Sequence, residues 1–68
     1  YAQFSLGIIY AKGLGVPQDY VSAHMWFNLS GSNGYEDAVE NRNIIEKKIS
    51  PSQIEKAQEM ARNWKPKK

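Results

Sequence analysis

Between Ala11 and Asp19 the chain reads Lys-Gly-Leu-Gly-Val-Pro-Gln. Two glycines and a proline in so short a stretch cannot be helix throughout, yet apolar residues recur at helical spacing on both sides of it. The spacing therefore predicts a helix over residues 2–11, a turn, and a second helix starting at Tyr20. At 100° per residue, Ala2, Leu6, Ile9 and Tyr10 share one face of the first helix, with Gly7 at its edge, while Tyr1, Phe4, Ile8 and Ala11 make a stripe on the opposite side. The second helix likewise carries two stripes, one of Tyr20, Ala23, Trp26, Phe27 and Ser30 and one of Val21, Met25 and Leu29. A helix that is apolar on two sides needs neighbours on two sides, as in one unit of a stacked helical repeat.

Local chemistry sharpens the boundaries. Gly13 is placed to take the left-handed conformation that ends the first helix, and Asp19 to accept from the free amides that open the second. Gly7 costs roughly 1 kcal/mol relative to alanine inside a helix, so it is expected where a neighbouring helix approaches closely, here the one carrying Trp26. Gly31-Ser32-Asn33-Gly34 reads as a connector. A third helix is expected over residues 35–49, with Glu36, Asp37 and Glu40 at its start and Lys47 and Lys48 in its last turn, both complementing the helix dipole. Ser50-Pro51-Ser52-Gln53 combines a capping serine, a proline at the first helical position and a glutamine completing a capping box. The fourth helix it opens runs to about Trp64, before Lys65-Pro66. Ile54, Ala57, Met60, Ala61 and Trp64 fall on one face, with Glu55, Lys56, Glu59, Arg62 and Asn63 on the rest.

Two-sided helices followed by a one-sided helix are the order expected at the C-terminal end of a stack closed by a polar cap. The start at Tyr1, with an apolar helix already under way, predicts a piece of a longer chain. A weak internal echo agrees: Ala23-His24-Met25-Trp26 recurs as Ala61-Arg62-Asn63-Trp64, and Ala2 as Ala38, at offsets typical of helical hairpin repeats.

Composition narrows the function classes. Sixty-eight residues bury only about 60% of the surface the unfolded chain exposes, which leaves a single core on the order of 3–5 kcal/mol. The chain has no cysteine to add a disulfide or a thiolate metal site, and none from which to read a redox compartment. A net charge of +2 does not imply a nucleic-acid partner, and no apolar run approaches the ~20 residues of a membrane span. Lys65, Lys67 and Lys68 read as a solubilising basic tail over residues 65–68.

Nothing in the chain is arranged for catalysis. Gly13-x-Gly15 follows a helix rather than a strand and lacks the remaining glycine and lysine of a phosphate loop. His24 is the sole histidine; it sits on a polar edge of the second helix beside Asn28 and is expected to be exposed or half-buried. Asp19 is explained by capping and Glu36, Asp37 and Glu40 by the dipole, so no carboxylate pair is left for acid–base work. No catalytic, cofactor-binding or metal-binding residue is expected.

Ala2, Phe4, Leu6-Gly7, Tyr10, Gly13-Leu14-Gly15-Val16, Asp19, Ala23, Trp26-Phe27, Gly34 and Ala38, at their fixed spacing, resemble the Sel-one-like repeat, a relative of the tetratricopeptide repeat. The resemblance covers residues 1–38; residues 39–64 depart from it and look like degenerate capping helices. It implies an all-α fold, an α-α superhelix of antiparallel helical hairpins with about four helices here. It also implies a non-enzymatic adaptor or scaffold that binds a protein or peptide. An accessory or small-ligand-binding domain of an enzyme, or a purely structural cap, is the alternative. The stripe of Tyr1, Phe4, Ile8 and Ala11 is the expected partner-binding or self-association face, since a contiguous exposed apolar patch is unfavourable in water.

Overall fold

In a computed structural model, which describes residues 2–64, the chain forms four helices: α1 (Ala2–Lys12), α2 (Tyr20–Ser32), α3 (Glu36–Glu46) and α4 (Pro51–Asn63). Among the described residues there is no strand, and the fold is all-α.

The predicted break is a tightly bonded turn. Gly13 (φ 69°) and Gly15 (φ 79°) both occupy the left-handed region. Leu14 N–H reaches back to the Ile9 carbonyl at 3.0 Å, Asp19 N–H donates to the Tyr10 carbonyl at 2.9 Å, and Gln18 Nε2 donates to the Ala11 carbonyl at 2.8 Å. Orphan carbonyls of α1's last turn are thus satisfied by the loop itself. Asp19 then caps α2, its carboxylate accepting from Val21 N–H (3.0 Å), Ser22 N–H (3.2 Å) and the Ser22 hydroxyl (2.8 Å).

Helix α2 is the hub. It packs against α1, α3 and α4, whereas α3 and α4 lean on it and scarcely touch each other. The core consists of Ala23, Phe27, Ala38 and Ile45, with Phe4, Ile8, Tyr10, Ala11, Tyr20, Tyr35 and Ile49 packed around it. Gly7 is the one buried residue of α1, and the close neighbour of the expected helix is Phe27, not Trp26: a Cβ at Gly7 would stand 2.6 Å from Phe27 Cε1. Trp26 instead meets Trp64 edge to face, with ring centroids 5.9 Å apart. The two tryptophans that echo each other in sequence are in contact.

Two boundaries differ from the sequence reading. The connector expected at residues 31–34 is half helix, because α2 continues through Gly31 and Ser32. Gly31 serves close packing rather than breaking the helix: a Cβ there would meet Val39 Cγ2 of α3 at 2.7 Å. The break falls at Gly34 (φ 95°), whose N–H donates to the Gly31 carbonyl while Tyr35 N–H donates to that of Ser30, a Schellman ending. Helix α3 is shorter than expected, with Tyr35 as its N-cap and Glu46 as its last residue. Lys47 and Lys48 lie in the turn beyond it, their N–H groups bonded to the Ile44 and Ile45 carbonyls, so they do not form a basic last turn. Ile49 turns back onto the core, and Ser50 must be extended (φ −77°, ψ 160°) to precede Pro51.

Helix α4 opens with the expected capping box: Gln53 N–H donates to Ser50 Oγ at 3.3 Å and Ser50 N–H to Gln53 Oε1 at 3.0 Å. Its inner face carries buried Ala57 with half-buried Ile54, Met60, Ala61 and Trp64, and its charged residues are exposed. The tail of residues 65–68 lies outside the described residues.

Candidate functional site

The first-helix stripe turns inward. Phe4, Ile8 and Ala11 are half-buried and pack on the core; Phe4 lies 5.6 Å from the Phe27 ring and edge-on to Tyr35 at 4.8 Å. Tyr1, the remaining member of that stripe, lies outside the described residues. Gly7, adjacent to this side of α1, is where the Phe27 ring of α2 packs against the bare backbone of α1. On the far side Leu6 and Ile9 are half-buried and Ala2 is exposed, and among the described residues none of the three joins the core.

Several of the repeat signature residues serve packing and turns. Ala23, Phe27 and Ala38 are buried core, Tyr10 packs beside them, and Gly7 and Gly34 act as described above. Val16 is half-buried in the turn, between Gly15 and the exposed Pro17.

His24 departs from its expected place. It is fully buried, at 0% exposure, because α3 closes over the polar edge of α2. Its Nε2 donates to Glu46 Oε2 at 2.8 Å, since a carboxylate can only accept. Arg42, one turn before Glu46, donates from Nη1 to Asn28 Oδ1 at 3.2 Å and from Nη2 to Asn43 Oδ1 at 3.2 Å, and its Nε stands 3.8 Å from the same Glu46 oxygen. His24 and Asn28 of α2 are thereby clasped by Arg42 and Glu46 of α3. Sequence reasoning missed the clasp because its halves are 22 residues apart, and no local spacing signals the pairing. Among the described residues no group of three or more histidine, aspartate and glutamate side chains is placed to hold a metal ion. The His24–Glu46 contact joins α2 to α3 across the packed interior.

An open cleft of about 390 Å³ lies where the start of α1 meets the end of α2, lined by Gln3, Ser30, Asn33, Gly34 and Tyr35. Antiparallel packing of the hairpin brings these together. Asn33 Nδ2 donates to Gln3 Oε1 at 2.9 Å across it.

The fold and these surfaces define a class: a helix–turn–helix repeat whose two helices share a core, with further helices packed on the second. A family model, the Sel1 repeat, matches residues 1–35, just over half of the 68, and the chain belongs to the Sel1 repeat family. Repeats of this family generally mediate protein–protein interaction and are typically non-enzymatic. Comparison with curated proteins and with solved structures gave no match. Among the described residues no helix is long and apolar enough to cross a membrane.

Proposed function

We propose that the chain is a non-enzymatic scaffold or adaptor module, the C-terminal end of a Sel1 repeat array, that binds a protein or peptide partner. The observation that carries this reading is the Sel1 repeat match on a well-formed hairpin. Residues 39–64 act as the cap: α3 and α4 rest on α2 without pairing with each other, and the outward face of α4 is charged.

Docking uses α1. That helix has α2 as its main packing partner, so it keeps one side for another protein or a second copy of the chain. Leu6 and Ile9 form the centre of the surface, and the half-buried Phe4, Ile8 and Ala11 contribute the area that the core leaves uncovered.

The test compares the wild type with Ile9→Glu by sedimentation equilibrium and by capture of a protein partner on the immobilised chain, with circular dichroism as the folding control. Wild-type association or capture that Ile9→Glu loses at equal helicity supports the reading. A wild type that neither associates nor captures any protein refutes it.

A further inference from the structure

The chain holds five asparagines, Asn28, Asn33, Asn41, Asn43 and Asn63, and Asn33 differs from the others in both conformation and neighbour. It alone lies outside the helices: Asn28 is in α2, Asn41 and Asn43 are in α3, and Asn63 is the last residue of α4. It alone is followed by glycine, where the others precede leucine, arginine, isoleucine and tryptophan. Asn33 and Gly34 are both exposed, and no atom lies within 4 Å of where a Cβ on Gly34 would stand. The Gly34 nitrogen is thus unhindered by any side chain of its own residue, and its backbone is the freest to rotate. Once it gives its proton to a base, that nitrogen is a nucleophile within ring-closing reach of the Asn33 side-chain carbonyl carbon.

The folded chain holds this reaction back. With Asn33 at ψ 9°, the Gly34 nitrogen nearly eclipses the nitrogen of Asn33 and is turned away from its Cβ, so a ring closes only after that bond rotates. Rotation breaks the bond from Gly34 N–H to the Gly31 carbonyl (3.0 Å), and drawing in the carboxamide breaks the one from Asn33 Nδ2 to Gln3 Oε1 (2.9 Å). The second of these ties the end of α2 to the start of α1.

We infer that Asn33–Gly34 is a site of spontaneous deamidation, with water as the co-reactant, restrained by the closed end of the hairpin and released when that end opens. Attack of the Gly34 nitrogen on Asn33 Cγ forms a carbon–nitrogen bond and a cyclic imide. The Cγ–Nδ2 bond breaks, and Nδ2 takes up a proton and leaves as ammonia. Water then opens the imide at either carbonyl, so the net change is one water in and one ammonia out, with no oxidation or reduction. Opening at Cγ gives aspartate. Opening at the main-chain carbonyl gives isoaspartate, whose main chain runs through Cβ and is one carbon longer. That carbon shifts the Gly34 and Tyr35 amides out of register with the Gly31 and Ser30 carbonyls, and it displaces Tyr35 from its edge-on contact with Phe4 at 4.8 Å. The joint between the hairpin and α3 therefore loosens irreversibly.

The experiment incubates the full chain in neutral and in mildly alkaline buffer, folded and in urea, and follows the amide-to-acid mass gain by peptide mapping, with isoaspartate read by enzymatic methyl transfer. The gain is expected at Asn33 ahead of the other four asparagines, faster in the alkaline buffer because the nucleophile is the deprotonated amide. It should run at least about ten-fold faster in urea than in the folded chain, since the folded chain must first open locally. Gln3→Met removes the oxygen that holds the Asn33 carboxamide and should speed the folded-state reaction about two- to ten-fold at unchanged helicity, one hydrogen bond's worth. The purified isoaspartate form is expected to unfold at lower urea than Asn33→Asp, which carries the new charge without the added carbon. Mass gain at another asparagine first, or equal rates in folded and unfolded chain, overturns the inference. So does an isoaspartate form as resistant to urea as Asn33→Asp.

Discussion

Replacing Gly7 by alanine tests how closely the hairpin is packed. In an exposed helix interior this change is stabilising by about 1 kcal/mol. Here the new methyl would stand 2.6, 2.7 and 3.0 Å from Cε1, Cδ1 and Cζ of Phe27, against an optimal carbon–carbon separation of about 3.5–4.0 Å. The ring cannot swing aside, because it is 1% exposed and the Phe4 ring lies 5.6 Å from it. Helix α1 must therefore back away from α2 by roughly 1 Å, loosening the contacts of Phe4, Ile8 and Ala11 together. Overpacking of this kind costs about 1–3 kcal/mol, so after the helix-propensity gain of about 1 kcal/mol the net loss is up to about 2 kcal/mol. Against a total on the order of 3–5 kcal/mol that is a large fraction. Urea unfolding followed by circular dichroism reads it as a lower midpoint at unchanged slope. Phe27→Leu in the Gly7→Ala background restores space, and a double-mutant cycle should return a favourable coupling of about 1 kcal/mol or more. A raised midpoint for Gly7→Ala, with no coupling to residue 27, would refute the argument that this contact sets the helix spacing.

The same unfolding assay checks the remaining expectations. His24→Ala removes a fully buried ring and the hydrogen bond that Glu46 accepts from it, for a loss of about 2–4 kcal/mol, whereas Glu46→Ala, from a side chain 32% exposed, should lose about 1–2 kcal/mol; equal losses would contradict the burial asymmetry. Asp19→Ala strips three hydrogen bonds from the start of α2 and should cost about 1–2 kcal/mol, while Asp19→Asn should recover most of it. Leu14→Ser, at a residue 57% exposed on the tip of the turn, should shift stability by no more than about 0.5 kcal/mol; a larger loss would mean that the leucine packs on something.

Most of the helical skeleton was legible in the residues because its signals are local. Asp19, Gly13, and the Ser50–Gln53 box each act on backbone groups within a few residues, and those bonds form as the spacing predicts. The cleft was not legible. It needs Gln3 and Asn33, which are 30 residues apart and meet only when α1 and α2 lie antiparallel.

What the sequence determined by itself is the helix–turn–helix unit, its caps and its Sel1 repeat character, since all of these are written in fixed short spacings. Tertiary structure decided everything that depends on which neighbour arrives. It turned the Phe4–Ile8–Ala11 side of α1 inward, kept Gly31 in helix because Val39 packs against it, and ended α3 early so that Ile49 reaches the core. It also buried His24 by bringing Glu46 to it. The physical reason is the same throughout: an apolar stripe or a polar edge carries a preference for burial or for pairing, but the direction in which that preference is met is set by contacts between residues far apart in the chain.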